Sequence, residues 1–158
     1  MGLFKKKEKG EMNSFLALQS VKPDYVNPEA FMDDAERIVE AYLKAVYSQD
    51  CSMIPMRRME EKFFYRTREI IEADASYCTR SCTGVQIVTN ELSTTDYAQQ
   101  FAIKSVSYDI LFSVTGSCRE KGEEVSSPYE DRRLGTFKFL NDQKLGWILC
   151  DHEDFGRR

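Results

Sequence analysis

The chain has 158 residues, 42% of them hydrophobic and 30% charged, with a formal net charge of -4. That length supports one domain with a core of its own and is too short for two ordinary ones. The mildly acidic balance gives no electrostatic basis for wrapping nucleic acid, and no uninterrupted apolar run approaches the roughly 20 residues a membrane helix needs.

Residues 1–26 read as a flexible basic lead. Lys5, Lys6, Lys7 and Lys9 precede only a short apolar patch at Phe15, Leu16 and Leu18, too brief for a signal peptide. Gly2 invites myristoylation, but Lys6 stands where that motif wants Ser or Thr. Weak peripheral membrane contact is the one further role such a lead suggests. Residues 27–154 form the expected domain, and 155–158 a frayed polar tail.

The domain begins with a well-signalled helix. Asn27 suits the N-cap, Pro28 the first helical position, and Glu29, Asp33 and Asp34 the positive end of the helix dipole. Phe31, Ala35, Ile38, Val39, Tyr42 and Val46 then recur at three- and four-residue spacing, which defines one buried stripe. A second helix is predicted from Ser52 and Pro55, with Met56, Met59, Phe63, Ile70 and Ile71 as its apolar face. Its arginines, Arg57, Arg58, Arg66 and Arg68, read as a solvated face, with a docking surface for an acidic partner as the alternative.

The rest of the chain reads as strands. Thr83 to Leu92 places Val85, Ile87 and Thr89 on one phase, and Ser93–Asp96 is read as a turn. Tyr97 to Val114 is taken as one long ribbon. Tyr97, Gln99, Phe101 and Ile103 share one phase, while Val106, Tyr108, Ile110, Phe112 and Val114 share the other, which calls for a bulge at Lys104–Ser105. Gly116 to Tyr129 is a long polar connection. Arg132 to Leu140 and Leu145 to His152 complete the set, joined by a tight turn at 141–144.

Helices first and a meander of about four strands after them make an α+β chain whose curved antiparallel sheet buries one face against the helices, a cone-like α+β barrel. The helix Ala35–Val46, its exit at Asp50-Cys51-Ser52, the bent ribbon and Gly146-Trp147-Ile148-Leu149 carry a resemblance to the cone-shaped nuclear transport factor two superfamily. Within it, the likeness is nearest to the C-terminal domain of the mitochondrial import-motor scaffold and its bacterial relatives, over roughly Asn27 to Asp154. The resemblance implies a cavity between sheet and helices, used by some members for catalysis, by some for ligand capture, and filled with side chains in others. The import-scaffold branch implies protein partners and membrane surfaces; this chain departs from it in lacking a hydrophobic anchoring helix.

No Gly-rich phosphate loop, nucleophile elbow or His-based metal cluster is present in the sequence. Cys78 and Cys82 with the single histidine, His152, miss ordinary zinc spacing, so the five cysteines are read as packed or idle thiols in a reducing cytoplasm, with neither metal nor cofactor expected. Asp109 is expected on the solvent face. Asp151-His152-Glu153-Asp154 is expected at an exposed chain end, although a carboxylate beside an imidazole is also an acid/base pair. No acid is read as facing inward. The expected function is therefore a non-enzymatic binding or scaffold module for a protein or small apolar ligand, with Tyr42, Phe101, Tyr108, Phe112, Phe137 and Trp147 as the ligand-facing set. The alternative is a small pocket enzyme, an isomerase or dehydratase acting next to a carbonyl, which requires an open cavity with a buried acid or His beside a Tyr. A homodimer through the remaining sheet face is also expected.

Overall fold

The computed structural model describes residues 28–97, 103–142 and 144–158, with the side chains of 28–31, 93–97 and 103 left aside. Helix α1 spans Pro28–Ser48, α2 spans Glu61–Ala75, and four strands follow: β1 Cys78–Tyr97, β2 Ile103–Glu120, β3 Ser127–Asp142 and β4 Gly146–Arg157. They form one antiparallel sheet in the order β1-β2-β3-β4. Both helices pack on its concave face. Among the described residues no helix is long and apolar enough to cross a membrane.

Helix α1 buries the stripe its spacing requires: Ala35, Ile38, Val39 and Tyr42, joined by Met32, Leu43 and Ala45. Its exit is fixed by Gln49, which adopts a left-handed φ of 53°. The Gln49 side chain donates to Asp74 (2.9 Å) and to the Cys78 carbonyl (3.0 Å), and accepts from the Arg80 amide (2.9 Å). The second helix starts later than its apolar pattern suggests. Residues Cys51–Met53 and Met56–Arg58 are single 3-10 turns, which leave Met53 and Met56 largely exposed while Met59, Phe63 and Ile71 enter the core. The arginines are spread rather than gathered: Arg58 pairs with Asp34 and the Trp147 carbonyl, Arg66 with Asp151, and Arg68 with Glu72.

The ribbon taken as one strand from Tyr97 to Val114 is two. Tyr97 pairs antiparallel with Ile103, so the phase change marks a reversal of the chain as well as an irregularity. An extra residue does stand at Lys104, where the register steps from Asp96↔Ser105 to Tyr97↔Ile103, but at the end of the hairpin rather than the middle of a strand. Ser93–Asp96, read as a turn, belongs to β1. Gln99 and Phe101 lie outside the described residues.

Three further bulges bend the sheet, at Thr83, Val88 and Ser93 of β1. Each inserts one residue opposite none and so inverts the side-chain phase. The inward residues of β1 are therefore Val85 and Ile87, then Asn90 and Leu92, while Thr89 turns to the outer face. Strand β2 runs on to Glu120 and β3 starts at Ser127, so most of the long connection predicted over 116–129 is ladder. Gly116 is needed where these strands meet Tyr129, because a Cβ there would stand 1.9 Å from the Ser81 carbonyl oxygen. Strand β4 continues to Arg157, through most of the segment expected to fray.

The core is aromatic. Tyr108, Phe112, Phe137, Phe139 and Trp147 are each at most 2% exposed and fill the cone from the sheet side, against Tyr42, Leu43 and Phe63. Each such burial contributes about 1.5–3 kcal/mol. Asp109 lies on the outer face as expected, accepting from Thr136 Oγ1 at 2.6 Å.

Candidate functional site

The space the core leaves open lies where α2 leans over the lower ends of β3 and β4. It is a cleft of about 280 Å³ with apolar walls from Leu43, Val46, Phe63, Ile70 and Phe112 and with Tyr42, Tyr47, Arg66, Arg133, His152 and Asp154 as its polar groups. A second recess, also about 280 Å³, adjoins it through Val46, Tyr47, Ile70, Arg133 and Asp154 and reaches Asp131 and Arg157.

His152 is in the cleft because of a bulge. Leu149 faces inward opposite Phe139, Cys150 is the extra residue, and Asp151 then falls opposite Lys138 on the outer side. His152 is thereby returned to the inner side, opposite Phe137. This corrects the expectation that His152 lies at an exposed chain end. The imidazole stacks on Phe137 with ring centres 4.2 Å apart and planes within 8°, and meets Tyr42 edge-on. Tyr42 Oη lies 3.0 Å from His152 Nδ1. Burial lowers the imidazole pKa from 6.5 to about 4, against the opposing pull of Asp154 and Asp151. The ring is therefore neutral at pH 7, with one hydrogen bond shared between Nδ1 and the Tyr42 hydroxyl, and the other nitrogen is Nε2. That nitrogen has no hydrogen-bond partner among the described residues and is out of contact with solvent. It rests over Gly135, whose missing side chain makes the room: a Cβ there would lie 2.7 Å from Nε2.

Asp131 is the inward acid that the sequence reading did not find. It is 9% exposed and sits on the concave side of β3, in phase with Arg133, Gly135, Phe137 and Phe139. Tyr47 Oη donates to it at 2.5 Å, Arg133 Nε at 2.8 Å and Arg157 Nε at 3.2 Å. Burial raises its pKa, but the hydrogen bonds from Tyr47 and Arg133 and the charges of Arg133 and Arg157 outweigh this and hold it below the usual carboxylate range. The Tyr47 phenol is pushed up by burial and by the carboxylate it serves. Asp131 is thus a fixed anion holding two arginines, a poor proton acceptor. Extending the alternation back from Phe137 and Phe139 would have revealed it.

Of the ligand-facing set, Tyr42 and Phe112 line the cleft; Tyr108, Phe137 and Trp147 are packed behind it, and Phe101 lies outside the described residues. Tyr65 is half exposed on α2. Cys78 and Cys82 stand near Arg80 on β1, away from the cleft that holds His152. Among the described residues no three His, Cys, Asp or Glu side chains are grouped to hold a metal ion.

Two long helices over a bent four-stranded meander, with the interior reached from one end, are the layout that the sequence resemblance implies. This is a cone-shaped α+β fold. The structure is similar to the intermembrane space region of the chloroplast protein ARC6, with a TM-score of 0.51 at 10% identity, covering 78% of this chain and 95% of that one. A ketosteroid isomerase-like protein from Erwinia carotovora atroseptica gives 0.44 at 11% identity, over 77% of this chain and 93% of that one. An NTF2-like protein of unknown function from Prochlorococcus marinus gives 0.42 at 8% identity, over 78% and 93%. At these identities the likeness is one of fold. No family model and no curated protein matches the chain.

Proposed function

We propose that the protein is a non-enzymatic binding module of the cytoplasm that takes an apolar group, free or borne by a partner protein, in the cleft between α2 and the sheet. The observation that carries this reading is the division of the interior. Most of the cone is filled by aromatic side chains, and the recess that remains has apolar walls, with its imidazole and the Tyr42 phenol bonded to each other and its carboxylate, Asp154, bonded to Arg133. His152 Nε2 is turned onto Gly135, and Asp131 is held ionised by two arginines. The five free thiols suit a reducing compartment, and the likeness to the import-scaffold branch favours a protein-borne group.

Ile70 lines the cleft yet is 50% exposed, so it is the place to close the recess without disturbing the core. Titration with indole, followed by amide chemical shifts, is expected to move resonances of Tyr42, Phe63 and His152 in the wild type and not in Ile70→Trp. Shifts scattered over the surface, or unchanged by Ile70→Trp, would sink the reading.

The Tyr42–His152 pair favours a second reading, proton transfer next to a carbonyl, with the phenol polarising the oxygen and a reoriented imidazole as base. It predicts deuterium uptake at the α-carbon of a cyclic ketone that His152→Gln abolishes. Equal uptake with both proteins would remove it.

A further inference from the structure

The hydrogen-bond inventory of the cleft is unbalanced toward donors. Arg66, reaching over Phe63 with its guanidinium 5.1 Å from the ring centre, engages only Nη2, with Asp151 at 2.8 Å. Arg133 engages Nε with Asp131 and Nη1 with Asp154, both at 2.8 Å. No hydrogen bond occupies Arg66 Nε or Nη1, or Arg133 Nη2, among the described residues. The acceptors, by contrast, are each already engaged once. Asp154 Oδ2 accepts from Arg133 and Oδ1 from the Gly156 amide at 2.7 Å, Tyr42 and His152 Nδ1 share one hydrogen bond, and Tyr47 is bound to Asp131. Asp151 and Asp131 hold the two guanidiniums without lining the cleft themselves.

From this we infer, building on the binding reading above, that the cleft takes an apolar body ending in a carboxylate, which sits on Phe63 and Phe112 and accepts from the unused N–H groups of Arg66 and Arg133. An amine would face two guanidiniums and one carboxylate, Asp154, that already serves Arg133 and the Gly156 amide. A neutral amide would fill the apolar walls and could accept through its carbonyl, but would forgo the pairing of opposite charges and the second carboxylate oxygen. The volume, close to the lower end of small-molecule sites, suits a ligand on the order of ten non-hydrogen atoms. Such a carboxylate is available from a free small acid or from the C-terminus of a peptide ending in an aromatic residue.

The test compares 3-phenylpropanoate, 3-phenylpropanamide and 3-phenylpropylamine by amide chemical shifts and calorimetry on the full chain. A tetrapeptide ending in phenylalanine, with free or amidated C-terminus, identifies the source. The acid is expected to bind about tenfold or more tighter than the amide, the amine not at all, and added salt to weaken the acid alone. Arg66→Gln should weaken the acid by about fivefold or more and the amide by less, with Arg133 still in place. Tighter binding by the free-terminus peptide than by the free acid assigns the carboxylate to a protein end, the reverse to a small molecule, and either supports the inference. Equal binding of acid and amide in the cleft, or an acid indifferent to Arg66→Gln, overturns it while leaving the binding reading intact. No shift at Tyr42, Phe63 or His152 with any probe overturns both.

Discussion

His152 is the only histidine in the chain, so its burial can be read from stability alone. The folded state keeps the imidazole neutral down to about pH 4, whereas the unfolded chain takes up the proton near 6.5. Between those values the unfolded state binds one more proton, and stability falls as pH drops, by about 1.4 kcal/mol per pH unit. The full difference is roughly 3 kcal/mol, reached near pH 4, and about 2 kcal/mol is already lost at pH 5. That is a large part of the roughly 5–15 kcal/mol of a typical domain. The assay is urea unfolding of untagged wild type and His152→Gln from pH 7.5 to 4.5. The variant cancels the carboxylate contributions common to both, and the imidazole Cε1–H resonance reports the folded titration directly. The advantage of the wild type over His152→Gln should shrink by about 2 kcal/mol between pH 7 and 5. A resonance titrating near 6.5, or a constant difference across the range, would refute the buried placement and with it the shape of the cleft.

Gly135→Ala should cost about 1–3 kcal/mol, because the new methyl meets an imidazole that is stacked on Phe137 and tied to Tyr42. In a His152→Ala background the same change should cost less, the remaining close contact being the Glu153 carbonyl oxygen at 3.3 Å, and equal costs in both backgrounds would show that the two do not touch. Asp131→Ala strands Tyr47 and Arg133 and should destabilise by about 3 kcal/mol in chemical denaturation. Arg157→Ala, which removes a partner 80% exposed, should change stability by under about 1 kcal/mol. The reverse order would mean that the solvent-facing pair holds the network.

Legibility in the sequence followed the regularity of each element. The stripe of α1 was readable because a helix needs only its own period to place side chains, and Ala35 through Tyr42 are buried accordingly. Val106 to Val114 on β2 were readable for the same reason: that stretch pairs with β3 without a shift. On β1 the inward residues run Val85, Ile87, Asn90, Leu92, a spacing of two, three and two that no single phase describes. On β4 the bulge at Cys150 moved His152 from the expected outer face to the inner one. The acid at Asp131 was legible in principle, yet the predicted strand began one residue after it.

The sequence by itself determined the α+β class, the first helix and the aromatic lining of the central strands, since each follows from local period and composition. Only the tertiary structure decided where the chain turns back between β1 and β2, where the extra residues of β1 and β4 fall, and that Tyr42 and His152, 110 positions apart, share a hydrogen bond. A bulge is a mismatch between two strands, and on β1 and β4 neither strand alone records it. The cleft depends on those mismatches, because each one chooses which side chains face inward.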